Sequence, residues 1–357
     1  MDKTEKKQKT MKVPVIISIT VSLAIILIIL FFTIDANTID QLFTTRIKYE
    51  FFAIATFLNI LYWVLWGARL KVLSNAIDKN VNIGLWESTK IVIANLFLAS
   101  ITPSMAGGEP VRIHLLNKDG MSLGSATGAV LGERLLDAIF ILILVPIAFF
   151  IFQDVADLGF IGTGLMIGVF IFVVIIILFI YAIMRPEKVK GFLIFVNKKL
   201  SRFSKKKESE SKVTRRINKE VDNFHNSMIV FVGDGRKALV KASVLTVLFW
   251  STGFMIPSMI LMGLGLPPFF VESYAAQVLL LVIIMMPTTP GSAGVAEAGI
   301  WGLYGVLIGT GEGTLIAIFL ILYRFITYYM NLIAGAFFQH RVFKSVASFS
   351  MDMIKKT

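Results

Sequence analysis

The stretch IVIANLFLASITPSMAGGE, residues 91 to 109, is apolar, meets a helix breaker at Pro103 and closes on a Gly-Gly pair and a carboxylate, Glu109. A helix that crosses the hydrocarbon layer needs about 20 mostly apolar residues, and Ile91 to Thr102 falls well short of that. Proline removes a backbone donor, and small residues let backbone approach backbone. The expected shape is therefore a segment, Trp86 to Val111, that dips into the bilayer and returns as a re-entrant hairpin. Broken helices at membrane depth are tolerated only where they pack in protein or line a polar cavity.

The neighbouring charges support the same parity. Lys3, Lys6, Lys7, Lys9 and Lys12 precede the uncharged run Pro14 to Ile34, which is too long and lacks the small-residue cleavage pattern of a signal peptide. By the positive-inside rule the N-terminus is cytoplasmic and this first helix runs outward. Phe51 to Ala68 returns, with Arg69, Lys71, Trp63 and Trp66 read as its interfacial residues. Ala126 to Phe152 and Phe160 to Met184 make a further pair. They lead to a basic segment, Arg185 to Glu220, where Lys and Arg outnumber the acids by about three to one. That segment stays cytoplasmic only if residues 86 to 111 do not cross. Phe192, Leu193, Phe195, Val196, Leu200 and Phe203 recur in it at near-helical spacing, as in an amphipathic helix on the membrane surface. Lys205 to Lys219 reads equally as a solvated linker.

The count repeats after the linker. Leu239 to Gly263 runs outward and Thr314 to Phe338 returns, so Tyr274 to Gly309 begins and ends outside, as two full helices or as a second hairpin. At its centre Thr289-Pro290-Gly291-Ser292-Ala293-Gly294 repeats the pattern T-P-x-x-A-G of Thr102-Pro103-Ser104-Met105-Ala106-Gly107, and Glu297 follows as Glu109 does. Two copies entering from opposite faces form an inverted repeat of the transporter kind, with a ligand site where the tips meet. The alternative is two ordinary proline-terminated helix ends. The fold class expected is an all-α polytopic membrane bundle with two broken-helix hairpins: an N-terminal membrane half (1–184), a basic cytoplasmic linker (185–237) and a C-terminal membrane half (238–357).

Composition agrees. Of 357 residues 56% are hydrophobic and only 16% charged, and the mean hydropathy is +0.78, which requires a bilayer as solvent. Cysteine is absent, and His114, His225 and His340 are far apart. No thiolate zinc site, cysteine-ligated cluster or disulfide is possible, and no cofactor or metal is expected. The net charge of +12 lies beside membrane segments, where orientation and anionic lipid explain it better than nucleic acid does. No nucleotide-binding loop or nucleophile elbow is visible.

The chemistry rests on charges inside apolar runs. Glu133, Arg134 and Asp137 stand at helical spacings of four and three near the start of a long uncharged run. An intramembrane charge is costly, so they either face the bundle interior in pairs or sit at the boundary in water. Arg324 interrupts the last span between Ile318 to Leu322 and Phe325-Ile326, among Tyr323, Thr327, Tyr328 and Tyr329. It calls for an anionic head group or a carboxylate partner, for instance Glu133 or Asp137. Arg112 reads as a phosphate ligand or as a snorkelling interfacial arginine.

At these residues the chain resembles the lysylphosphatidylglycerol synthase transmembrane-region family, also called flippase-like membrane proteins. The resemblance rests on Asn95-Leu96-Phe97, Thr102 to Pro110, Gly132-Glu133-Arg134-Leu135-Leu136-Asp137, Pro287 to Gly294 with Glu297, and Tyr323-Arg324. It implies movement of lipids, such as aminoacylated phospholipids or lipid-linked sugars, between leaflets. The soluble transferase domains of some members have no counterpart in the short tail from Gln339 to Thr357, so synthase activity is not expected. The expectation is thus a lipid translocase in a plasma or inner membrane. Its partner is an anionic or zwitterionic phospholipid or a lipid-linked sugar, bound by Thr102, Pro103, Glu109, Arg112, Glu133, Arg134, Asp137, Thr289, Pro290, Glu297 and Arg324. The rivals are a membrane enzyme using Glu109, Glu133 or Asp137 as acid or base, and a scaffold whose basic linker recruits partners.

Overall fold

The computed structural model describes residues 47–100, 108–152, 170–201 (without 171–172, 175–176, 179 and 182–183), 210–284 (without 234), 292, 294–309 and 313–335. The run from Pro14 to Ile34, most of the expected span from Phe160 to Met184, and both T-P-x-x-A-G tips apart from Ser292 and Gly294 lie outside these residues.

The protein is an all-α polytopic membrane bundle. Four described helices are long and apolar enough to cross a bilayer: α1 (Tyr49–Ile77), α4 (Leu123–Ile151), α7 (Arg236–Gly263) and the last span, Gly313–Gly335. Their apolar residues face both ways, as a lipid solvent permits. On α4, Ile139, Ile143, Ile147 and Phe150 are exposed at near-helical spacing, while Ala138, Ile141, Val145 and Ala148 are buried. Pro146 in α4 and Pro257 in α7 each remove one helix hydrogen bond within these spans.

α1 is the central post. Its buried stripe, Ala55, Asn59, Trp63, Trp66, Leu70 and Leu73, follows spacings of three and four, and its most extensive contact is with α7. A loop closed by Asn75, whose side chain accepts from Ile83 N at 2.9 Å and donates to Ile83 O at 3.2 Å, leads into α2 (Leu85–Ser100). α2 packs on α1 at Gly67, where any Cβ would meet Thr89 backbone within 2.8 Å. Buried along most of its length, α2 also packs on α3 (Gly108–Lys118), the helix that leaves the first tip.

Two helices fill the segment between the membrane halves. α5 (Pro186–Ser201) exposes Phe192, Leu193 and Phe195, matching the amphipathic helix expected there. α6 (Glu210–Val232) is not the solvated linker that Lys205 to Lys219 suggests. It docks on the first turns of α4, where Gly124 and Gly128 leave room: an added Cβ would lie 2.4 Å from Asn223 Cβ and 2.5 Å from Ser227 Cβ. Gly124 N donates to the Glu220 carboxylate at 2.6 Å, so α6 caps α4 with an anion. Lys190 Nζ donates to Asp222 Oδ1 at 2.7 Å and joins α5 to α6.

In the second half, α8 (Phe270–Ile284) and α9 (Val295–Ile308) pack on each other on either side of the second tip. At 15 and 14 residues they rise about 22 and 21 Å, each less than the hydrocarbon thickness of about 30 Å. The last span comprises α10 (Gly313–Arg324), a π-helical turn over Phe325–Tyr329, and a continuation to Gly335. Two side chains of α1 clasp this wide turn: Asn59 Nδ2 donates to Ile326 O at 2.8 Å, and Trp63 Nε1 donates to Asn331 Oδ1 at 2.8 Å.

Candidate functional site

The expected charges divide into two groups. Glu109, Arg112, Glu133, Arg134 and Asp137 meet in one network, and Glu297 and Arg324 form a separate ion pair. Thr102, Pro103, Thr289 and Pro290 lie outside the described residues.

The organiser of the network is Arg69, read from sequence as an interfacial residue and in fact wholly enclosed. Its Nε donates to Glu133 Oε1 at 3.1 Å, and its Nη1 and Nη2 donate to Asp137 Oδ1 and Oδ2 at 2.5 and 3.3 Å. Nη1 also reaches Thr246 Oγ1 at 3.1 Å, and the guanidinium lies 4.8 Å from the Phe249 ring centre. One arginine of α1 thus holds both carboxylates of α4 and touches α7. Such fork-to-carboxylate pairing is among the stronger hydrogen-bonding geometries.

The i,i+4 spacing places Glu133 and Asp137 on one face of α4, where further donors complete them. Arg112 Nη1 donates to Glu133 Oε2 at 2.5 Å, Trp250 Nε1 to Asp137 Oδ1 at 2.8 Å, and Arg134 Nη1 to Asp137 Oδ2 at 3.4 Å. Arg112 is fully buried over the Trp66 ring, which excludes a snorkelling role. Glu133 is fully buried and Asp137 nearly so, which excludes a position in boundary water.

The open edge is the pair Arg134 and Glu109. Arg134 Nη2 hydrogen bonds Glu109 Oε1, and their side chains are 38% and 26% exposed. Three guanidinium groups therefore face three carboxylates, and accessibility rises from Arg112 at the closed end to Arg134 at the lip. Neutrality makes burial tolerable, because each ion's lost hydration is offset by a close opposite charge.

The second group centres on the last span. Arg324 Nη2 lies 2.7 Å from Glu297 Oε1, so the carboxylate partner that Arg324 requires is Glu297 and not Glu133 or Asp137. Glu297 also accepts from Gly294 N at 2.6 Å and caps its own helix. The Arg324 guanidinium stacks 4.3 Å from the Tyr328 ring centre, and Tyr328 Oη donates to Ser100 O at 3.0 Å. Ser100 ends the helix entering the first tip, and Gly294 begins the helix leaving the second. One turn of the last span thus touches the described flanks of both tips. Beside it runs a neutral chain: Tyr323 Oη donates to Gln277 Oε1 at 2.7 Å, and Gln277 Nε2 donates to Tyr304 Oη at 2.8 Å.

Sequence reading missed Arg69, Trp250, Thr246, Gln277 and Tyr304. For Arg69 a signal existed: it lies three residues beyond Trp66 and one before Leu70 on the buried stripe of α1. The others are neutral donors within apolar runs and carry no pattern of their own.

No solved structure matches the chain. Among curated proteins it is 32% identical over 325 residues to a UPF0104 membrane protein of Archaeoglobus fulgidus, covering 90% of this chain and 94% of that one. A UPF0104 membrane protein of Methanocaldococcus jannaschii is 28% identical over 70% of this chain and 72% of its own length. One of Methanothermobacter thermautotrophicus is 24% identical over 72% and 74%. The family described as the lysylphosphatidylglycerol synthase TM region matches residues 15–335, a stretch that includes every charge of both groups. The chain therefore belongs to the lysylphosphatidylglycerol synthase transmembrane-region family.

Proposed function

We propose that this protein moves a lipid head group across the bilayer through a polar chamber between its membrane helices, while the acyl chains stay in hydrocarbon. The observation that carries this reading is the neutral six-charge network, enclosed by spanning helices and open only at Arg134 and Glu109. Ionisable groups inside a membrane protein mark substrate or ion pathways by default. A packed core has no need of six, since apolar residues of the same volume are often as stable or more so.

The site chemistry supports the substrate class. Arginines suit a phosphate, and a carboxylate at the lip suits an amine or balances charge, which fits an anionic or zwitterionic phospholipid or a lipid-linked sugar phosphate. An apolar groove of about 340 Å³, lined by Leu144, Ile147, Met255, Val271 and Tyr274 among others, lies farther along α4 and α7 from the network and suits an acyl chain. On this reading T-P-x-x-A-G tips of two re-entrant hairpins form the inner walls, consistent with the short helix pairs on either side of them. The basic segment 185–237 and both termini are cytoplasmic by the charge rule, in a plasma or inner membrane. The lipid is carried without being changed: every oxygen of Glu133 and Asp137 is engaged by a guanidinium or indole donor, so neither offers a free base.

Reconstitution into liposomes with head-group-labelled lipids tests this. The expected result is label reaching the inner leaflet faster than in empty vesicles for at least one phospholipid class. Equal rates for every class tried would sink the proposal.

A further inference from the structure

Three of the network's buried donors have nothing to bind. Arg112 Nε and Nη2 and Trp66 Nε1 are enclosed and find no hydrogen-bond partner among the described residues. Arg112 is 0% and Trp66 5% exposed, with the guanidinium carbon 5.2 Å from the indole ring centre. Leaving one buried donor unmet costs roughly 1–3 kcal/mol, so three together call for an occupant. Donors alone demand an acceptor-only group, and beside a guanidinium that group is an oxyanion.

The nearest such oxygen belongs to the protein. Glu109 Oε1 is hydrogen-bonded by Arg134 and stands 3.9 Å from Arg112 Nη2, too far for a hydrogen bond. Glu109 is also the most exposed of the three network carboxylates. The other two are held by Arg69 on both sides, whose forked contacts leave it no free direction.

The geometry points to an oxyanion seat formed by Arg112 and Trp66, for which the Glu109 carboxylate is a built-in competitor. A singly charged phosphodiester oxygen enters past Arg134, takes the donors of Arg112 and Trp66, and releases Glu109 toward the lip. One monoanion replaces another, so the network stays neutral throughout. This rests on the lipid reading above for its ligand and sharpens it. Among the three arginines, Arg112 contacts the phosphate, Arg134 guards the entrance and Arg69 is scaffold. The same chemistry accepts inorganic phosphate.

Titration calorimetry of the full chain in neutral detergent separates these sources, with three probes: short-chain phosphatidylglycerol, the matching diacylglycerol without phosphate, and inorganic phosphate. The seat predicts heat with phosphatidylglycerol and none with diacylglycerol. Trp66→Phe, which keeps the ring and deletes the N–H, weakens binding about tenfold, the value of one hydrogen bond to a charged group. Glu109→Gln, which removes the competitor, tightens it by a similar factor. Arg112→Gln abolishes it, and because that variant also strips Glu133 of a partner, the Trp66 and Glu109 variants carry the test if it does not fold. Binding of inorganic phosphate but not phosphatidylglycerol upholds the seat and counts against the lipid reading. Phosphatidylglycerol bound equally by wild type, Trp66→Phe and Glu109→Gln overturns the seat and leaves the lipid reading standing. No binding of either phosphate probe overturns the seat, while the liposome assay decides the lipid reading separately.

Discussion

The two charged centres solve the same problem in different ways. In the N-terminal half, three arginines and three carboxylates from α1, α3 and α4 share partners, so no ion pair there is independent of the others. In the C-terminal half, one arginine meets one carboxylate, and the rest of the stabilisation comes from a tyrosine ring and a helix N-terminus. A shared network can exchange one of its anions for a ligand and remain paired. An isolated pair has no such slack, and losing either member leaves a bare charge. The difference assigns ligand chemistry to the first centre and attachment of the tips to the second.

The largest effect expected is from Arg69→Gln, which strands Glu133 and Asp137 together. Removing one partner of a buried pair costs about 3–5 kcal/mol. This variant should fail to accumulate or should unfold far below wild type in a detergent thermal melt. A near-normal melt would mean that Arg69 is not the organiser. Arg324→Gln should cost less, about 1–3 kcal/mol, because Glu297 keeps its bond from Gly294 N. If it proves as damaging as the Arg69 change, the second centre is no simpler than the first. Glu109→Gln, at the open edge, should shift the melt by less than about 1 kcal/mol, as exposed ion pairs do. A large loss there would make Glu109 structural and not a displaceable anion. The finest test is a double-mutant cycle between Arg69 and Arg324. With no shared partner among the described residues, the two changes should add within about 0.5 kcal/mol. Strong coupling would join the centres into one.

Much of this was legible before any coordinates, for a physical reason. A charge inside an apolar run is costly enough that its presence alone signals an enclosed partner, so Glu133, Asp137 and Arg324 identified themselves. Arg69 did not, because a cation near the end of an apolar run, followed by Lys71, has the same local pattern whether it reaches water or is covered. Here α1 runs on to Ile77, and packing by α4, α6 and α7 decides the matter. The partner of Arg324 was misassigned because spacing along the chain says nothing about which of several carboxylates folds against it. Likewise the docking of α6 depends on the absent side chains of Gly124 and Gly128, and an absence in one helix gives no sign of which helix will use it. The tips themselves, whose repeat suggested the hairpins, are outside the described residues, and only their flanks bear on that reading.

The wide turn over Phe325–Tyr329 makes the last span unusually sensitive to length. Each residue advances an α-helix by about 100°, so the extra residue in this turn sets the azimuth of everything beyond it. Deleting a single residue there would leave a span that is still apolar and still long enough to cross. Asn331 would then swing away from Trp63, and the grip of α1 on this helix would be lost without any change in charge or hydrophobicity.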